Sequence, residues 1–266
     1  MLTLIIALLV GCACGYGAAH EWGPTWGIAC GVMGFLLGQI VIGLILRSAI
    51  KNRQDRIQKI LQDAQLKINK QLNLFQIRPP SSQKAAQQIL EKIQNDAARK
   101  ALEATDAFKP LYLWNLMLKK QIAAMRMQLY YQLKDFKKVD ECLKSALIID
   151  PQSVAIGLAR MYRNEDAKLD KFYASKFRRT RDEGAAFVAS VYAWIKLKQG
   201  NEETAREALV AAKKKSDHPV LLENLDKLLN GKAKQFSNAG FGDIWYALFL
   251  EEPKMKQQRQ RQSRPF

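Results

Sequence analysis

The first 46 residues contain neither lysine nor arginine: all 42 basic side chains of the 266-residue chain lie at or after Arg47, and a single acid, Glu21, precedes it. A secretory signal usually opens on a basic stretch, so this lack argues against a cleaved one. Histidine is nearly missing too. His20 and His218 stand far apart, and the four cysteines are scattered. Zinc needs closely spaced ligands, so no metal site is expected, and no cofactor. Cys12, Cys14 and Cys30 read as small apolar packers at membrane depth, and Cys142 stands alone on a helix. No Gly-rich loop runs into a Lys-Ser or Lys-Thr pair, and Gly240-Phe241-Gly242 follows no strand, which removes the usual phosphate cradles. Ser81 with Lys84, and Ser48 with Lys51, have a Ser-x-x-Lys spacing that chance supplies in a lysine-rich chain, without the companion motifs of those hydrolases. Glu202-Glu203 and Glu251-Glu252 read as helix-end charges. No nucleophile, base and metal can be assembled, so no enzyme is expected.

What the opening does contain is apolar length. Residues 2–19 hold no charged side chain, nor do residues 26–46. Each run is close to the ~20 residues that a helix needs to cross ~30 Å of hydrocarbon. A polar, turn-forming stretch from His20 to Thr25 separates them, with Trp22 and Trp26 suited to a membrane interface. Gly11 and Gly15, Gly27 and Gly31, and Gly34 and Gly38 recur at helical spacing, which lets transmembrane helices approach closely. A membrane hairpin explains these features together. Leu9-Val10-Gly11-Cys12 also resembles a bacterial lipobox, which would make Cys12 a lipid anchor. After the second run come Arg47, Lys51, Arg53, Arg56 and Lys59. The positive-inside rule then places that side, and the N-terminus, in the cytoplasm, as in a multi-pass protein of a bacterial inner membrane.

Beyond Leu46 the chain is strongly basic, with 42 basic against 24 acidic side chains, a net +18. Residues 47–76 contain no glycine or proline. Ile57, Leu61, Ala64, Ile68, Leu72 and Phe75 fall on one stripe with an average step of 3.6 residues. That is an amphipathic helix rather than a strict heptad coiled coil. Straight, it would project roughly 45 Å. Pro79-Pro80 ends it, and a following serine can cap the next helix, which runs to about Thr105. The stripe of this next helix is Ala86, Ile89, Ile93, Ala97, Ala101 and Ala104.

From Pro110 onward the pattern is one of helical hairpins. Pro110 suits a first helical turn. Tyr130 and Tyr131 lie late in one helix, Asp135-Phe136 at a turn, then Val139, Leu143 and Ala146 on a second helix that closes at Asp150-Pro151. A further copy has Gly200-Asn201 at its turn, then Ala205, Leu209 and Ala212. Lys134 to Gly200, Val139 to Ala205 and Ala146 to Ala212 are each 66 residues, close to twice the 34-residue period of a known repeat. A middle copy between them has Tyr162 in the aromatic place. These residues resemble the tetratricopeptide (TPR) family over about residues 110–231, without its Trp-Leu-Gly signature.

The expected fold is therefore all-α: a transmembrane hairpin (1–50), a helical stem and linker (51–80), a short TPR-like α-solenoid (81–252) and a basic tail (253–266). The resemblance implies binding of another protein or peptide in a concave groove lined by first helices. By register the groove residues are Gln128, Tyr131, Gln132, Met161, Phe187, Ser190, Trp194 and Lys198; the aromatics among them equally suit the core, and lining a groove would leave Tyr131 and Trp194 partly exposed. The carboxylate clamp of chaperone-tail binders is not seen. Trp245, Phe249 and Leu250, on a short helix capped by Asp243, are expected to dock on the solenoid end or at a membrane interface. The tail has five basic residues and no acid, which would suit contact with anionic lipid or RNA phosphates, or simply solubility. Expected is a membrane-anchored adaptor; the alternative is a complex subunit in which the glycine-lined hairpin forms a homo-oligomer.

Overall fold

The computed structural model describes residues 2–252. The tail, 253–266, lies outside the described residues. Those described are helical, with no strand among them, and the chain divides into two compact units, Met1–Leu147 and Ile148–Phe266.

In the first unit, α1 (Leu2–Trp22) and α2 (Pro24–Ile77) form an antiparallel pair. The turn is tighter than the six polar residues suggest. Gly23 alone is non-helical, at φ +93°, and Pro24 starts α2 with its ring-fixed φ. Both helices are long and apolar enough to cross a membrane. Their outward apolar side chains stay uncovered, as at Leu9, Ile28 and Ile45.

The second apolar run and the stem are one helix. The 54 residues of α2 span roughly 80 Å at 1.5 Å per residue. The stem part does not project freely. It lies against α3 (Gln83–Thr105), which begins at Ser82, whose hydroxyl accepts from the Ala85 N–H at 3.1 Å. Ile57, Ala64 and Ile68 are buried, whereas Leu61 and Leu72 of the same stripe are exposed. The contact is thus narrower than the stripe, because the small Ala97, Ala98 and Ala101 of α3 draw the helices together along one line. Phe108, Leu111, Leu118, Ile122 and Leu129 complete this core with Ile57 and Leu102.

Pro110 lies inside a 3-10 segment, Asp106–Leu111. It does not start the next helix. That helix, α4 (Leu116–Gln132), starts at Asn115, whose side chain accepts from the Met117 and Leu118 N–H groups. The Arg53 guanidinium donates to the carbonyls of Ala49 and Ala107 at 2.9 and 2.8 Å, tying α2 to this segment. After Asp135, which caps the Lys138 N–H, comes α5 (Phe136–Leu143). It is shorter than the pattern suggests, and Ala146 lies past its end. Asp150 and Pro151 cap and open the following helix.

The second unit has α6 (Pro151–Arg163), α7 (Leu169–Phe177), α8 (Asp182–Lys198), α9 (Glu202–Lys213), α10 (Pro219–Leu229) and α11 (Asp243–Tyr246). Its centre is α8, buried from Ala185 to Lys196, with α6 on one side and α9 on another. Alanines make this possible: Ala185, Ala186, Ala189, Ala193, Ala205 and Ala212 are fully buried. Gly242 at φ +66° precedes α11, and no side-chain cap from Asp243 is made.

Four helices end alike. After α4, α6, α8 and α10 the residues Lys134, Glu165, Gly200 and Gly231 take positive φ. Around each, two N–H groups turn back to the helix, as with Asp135 to Tyr130 O and Lys134 to Tyr131 O. This paired bonding satisfies carbonyls that a helix end otherwise leaves open.

Candidate functional site

All six spaced glycines lie between α1 and α2. A Cβ on Gly27 would stand 2.5 Å from the Ala19 Cβ and 2.9 Å from the Gly15 carbonyl oxygen. On Gly11 it would meet the Gly31 oxygen at 2.8 Å, and on Gly15 the Gly27 oxygen at 3.0 Å. Gly31 faces Gly11 and Gly15, Gly34 faces Cys14, and Gly38 touches Ala7 at 3.6 Å. Backbone thus approaches backbone within one hairpin, and this glycine surface is already covered. Gly17 and Gly43 face open space.

The eight candidate groove residues are divided between the two units. In the first, Tyr131 is buried at 4 % exposure, with its ring edge-on to Phe136 at 5.5 Å. Gln128 is half-buried and Gln132 exposed. In the second, Phe187, Ser190 and Trp194 are buried, Met161 is half-buried and Lys198 exposed. Of the two readings of these rings, groove or core, Tyr131 and Trp194 follow the core one.

For Trp194 the reason is the chain's own C-terminal segment. Asn238 donates to the Ser190 carbonyl at 2.9 Å and is itself gripped by Asn224. Phe241 packs edge-on to Phe187 at 5.3 Å and stacks on His218 at 4.7 Å. Trp245, wholly buried, meets Trp194 edge-on at 5.5 Å, while Tyr162 approaches Trp194 from another side at 5.8 Å. Both indole N–H groups donate to the Glu251 carboxylate, Trp194 at 2.7 Å and Trp245 at 3.1 Å. Arg163 donates to the Phe249 carbonyl at 2.8 Å. Register on α8 cannot reveal this cover, because the covering residues lie some fifty positions later. The signal for it in the sequence is the cluster Trp245, Phe249 and Leu250, whose apolar bulk points to a docking segment.

A second arrangement joins α7 and α8. Lys196, buried on α8, pairs with Asp170 at 2.6 Å, and the Tyr192 hydroxyl donates to the same carboxylate at 3.0 Å. The Tyr192 and Tyr173 rings stack with centroids 3.7 Å apart. Burial pushes the Tyr192 hydroxyl well above the usual tyrosine range, helped by its bond to Asp170. Burial, then the neighbouring Tyr192, does the same to Tyr173. Such groups stay neutral and act as packing with a polar tip. An adjoining recess of about 550 Å³ is lined by Arg163, Glu165, Asp166 and Gln199 among others. It gathers both charge signs without a nucleophile and a base in reach of one another.

Cys12 and Cys14 are exposed on α1, Cys30 and Cys142 partly covered, and all four are unpaired thiols. Among the described residues no group of three His, Cys, Asp or Glu side chains could hold a metal ion. No protein-family model, no curated protein and no solved structure matches the chain.

Proposed function

We propose that the chain is a membrane-tethered helical adaptor that holds a partner protein or peptide at the cytoplasmic face, and that it is a binding protein rather than an enzyme. The observation that carries this reading is the continuity of α2. One unbroken helix runs from an uncovered apolar surface into the Ile57 core. Exposed leucines and isoleucines on its first half need an apolar medium. The basic flank from Arg47 to Lys59 favours the cytoplasmic side for the residues beyond it. A helix rigid across that boundary fixes the bundle of the first unit to its anchor.

The repeat-like part of the proposal rests on the 66-residue sequence spacing from Lys134 to Gly200, Val139 to Ala205 and Ala146 to Ala212. In a stack of hairpins each pair buries its face only against neighbours, leaving one side for partners. In this proposal the exposed Gln132 and Lys198 make partner contacts, while the rings of Tyr131, Phe187 and Trp194 hold the helices in place. Affinity capture from gently solubilised membranes, with the full chain and with a form beginning at residue 47, tests it. Both should retain the same partner. Loss of the partner on removal of the hairpin would contradict an adaptor and indicate assembly through the membrane segment. Cysteine probes at Ser81 and Ser237 should react only after the inner side is opened, and labelling in intact cells would reject the orientation.

A further inference from the structure

We propose that the first unit holds one anionic phospholipid in a recess beside α2, an inference that rests on the membrane-spanning reading of α1 and α2. The recess measures about 810 Å³ and sits where the uncharged run of α2 gives way to charge, at Leu46 and Arg47. Its lining changes in character along α2. Leu4, Gly43 and Leu46 make a mainly apolar lower part, in which Gln39 and Thr3 are joined by a hydrogen bond from the Gln39 amide to the Thr3 carbonyl at 3.3 Å, and Arg47 and Lys51, with Ile50 between them, make a cationic upper part. Trp114 and Met117, from the turn into α4, add an outer wall. No acid contributes to the lining.

Arg47 and Lys51 are four residues apart, so they share one face of α2. Both are exposed, and among the described residues neither makes a hydrogen bond or an ion pair. Arg53, by contrast, commits its guanidinium to two carbonyls. Of the five flank cations, Arg47, Lys51, Arg56 and Lys59 are uncommitted among the described residues, and two of these four, Arg47 and Lys51, line the recess. Large apolar side chains stand uncovered beside it: Leu113 is 69 % exposed and Met117 47 %. An indole at the boundary, apolar side chains below it and long cationic stems above it match the layers of a lipid leaflet. A free phosphate would satisfy only the cations and leave the apolar part wet. A phospholipid satisfies both, with its phosphate at Arg47 and Lys51 and its acyl chains along Gly43 and Leu46. Basic pockets next to transmembrane helices recognise anionic headgroups by this chemistry.

The test uses the full chain in nanodiscs containing phosphatidylglycerol or phosphatidylcholine, followed by native mass spectrometry of retained lipid. Phosphatidylglycerol should be retained preferentially. Each cation removed should weaken retention about fivefold, the equivalent of about 1 kcal/mol per basic residue at a charged surface. The double variant R47Q/K51Q should therefore lose roughly thirtyfold, whereas R56Q/K59Q, changed outside the recess, should lose about twofold at most. Millimolar inorganic phosphate should displace nothing. Met117→Glu places a like charge in the recess while leaving the basic flank of α2 intact, and should lose retention even if the double variant inserts poorly. Equal retention of the two lipids, equal losses in the two double variants, displacement by inorganic phosphate, or full retention by Met117→Glu would each overturn the site. Release of the protein from membranes by alkaline wash would instead defeat the spanning reading itself.

Discussion

Replacing Glu251 by alanine should release the C-terminal segment of the second unit. Its carboxylate accepts one bond from the Trp194 indole at 2.7 Å and another from Trp245 at 3.1 Å. Trp245 has no exposure and Trp194 only 6 %, so while the segment stays docked both N–H groups are left without their acceptor and poorly reached by water. A buried donor left unpaired costs about 1–3 kcal/mol. Glu251 is itself only half-buried, which favours the lower part of that range. Two donors then give a loss of about 2–4 kcal/mol for Glu251→Ala. Glu251→Gln keeps one carbonyl acceptor and should lose about half as much. The assay is denaturant unfolding of the full chain followed by indole fluorescence, with Trp22, Trp26 and Trp114 replaced by phenylalanine. Only Trp194 and Trp245 then report. A change below about 0.5 kcal/mol, typical of an uninvolved surface position, would refute the reasoning, as would a glutamine variant weaker than the alanine one.

Four further outcomes are expected. Gly27→Val should destabilise the hairpin by about 1–3 kcal/mol through overpacking, because even its Cβ would stand 2.5 Å from that of Ala19; Gly17→Ala, facing open space, should not, and thermal unfolding in detergent compares them. Lys134→Gly should stabilise the first unit by roughly 1 kcal/mol, since Lys134 holds φ +60° where a side chain is strained; an unchanged denaturation midpoint would reject that strain. Burial raises the hydroxyls of Tyr173 and Tyr192 above their ordinary value, so their contribution to stability is complete below about pH 10 and lost as pH rises beyond it; phenolate absorbance should show two tyrosines ionising late, and Tyr173→Phe with Tyr192→Phe should remove them. A fragment starting at Ser81 should melt below one starting at residue 47, because it uncovers the Ala97, Ala98 and Ala101 surface that Ile57, Ala64 and Ile68 cover.

Local chemistry makes much of the chain readable. Two uncharged runs announce α1 and α2, Pro79-Pro80 announces the end of α2, and Ser82, Asp135 and Asn201 cap where short polar side chains are expected to. The features that escape a sequence reading are decided at a distance. Pro110 suits a helix start, yet Asn115 caps the helix and the proline takes a 3-10 turn. The residue at the first helix stop is a lysine, so nothing in its type reveals the left-handed turn that Gly200 makes plain. The stem stripe is legible, but not its narrowing onto α3, which the alanines of that partner decide. Trp194 and Phe187 sit on the expected register of α8, but burial depends on Trp245 and Phe241. Periodicity on one helix carries no information about a segment arriving from elsewhere.

Membrane recruitment of the captured partner tests the central claim most directly. Cells expressing the full chain, or only residues 47–266, are fractionated and the partner is quantified in membrane and soluble fractions. The partner should move to the membrane with the full chain and stay soluble, still bound, with the shortened one. A partner that distributes identically in both cases would contradict a membrane-tethered adaptor.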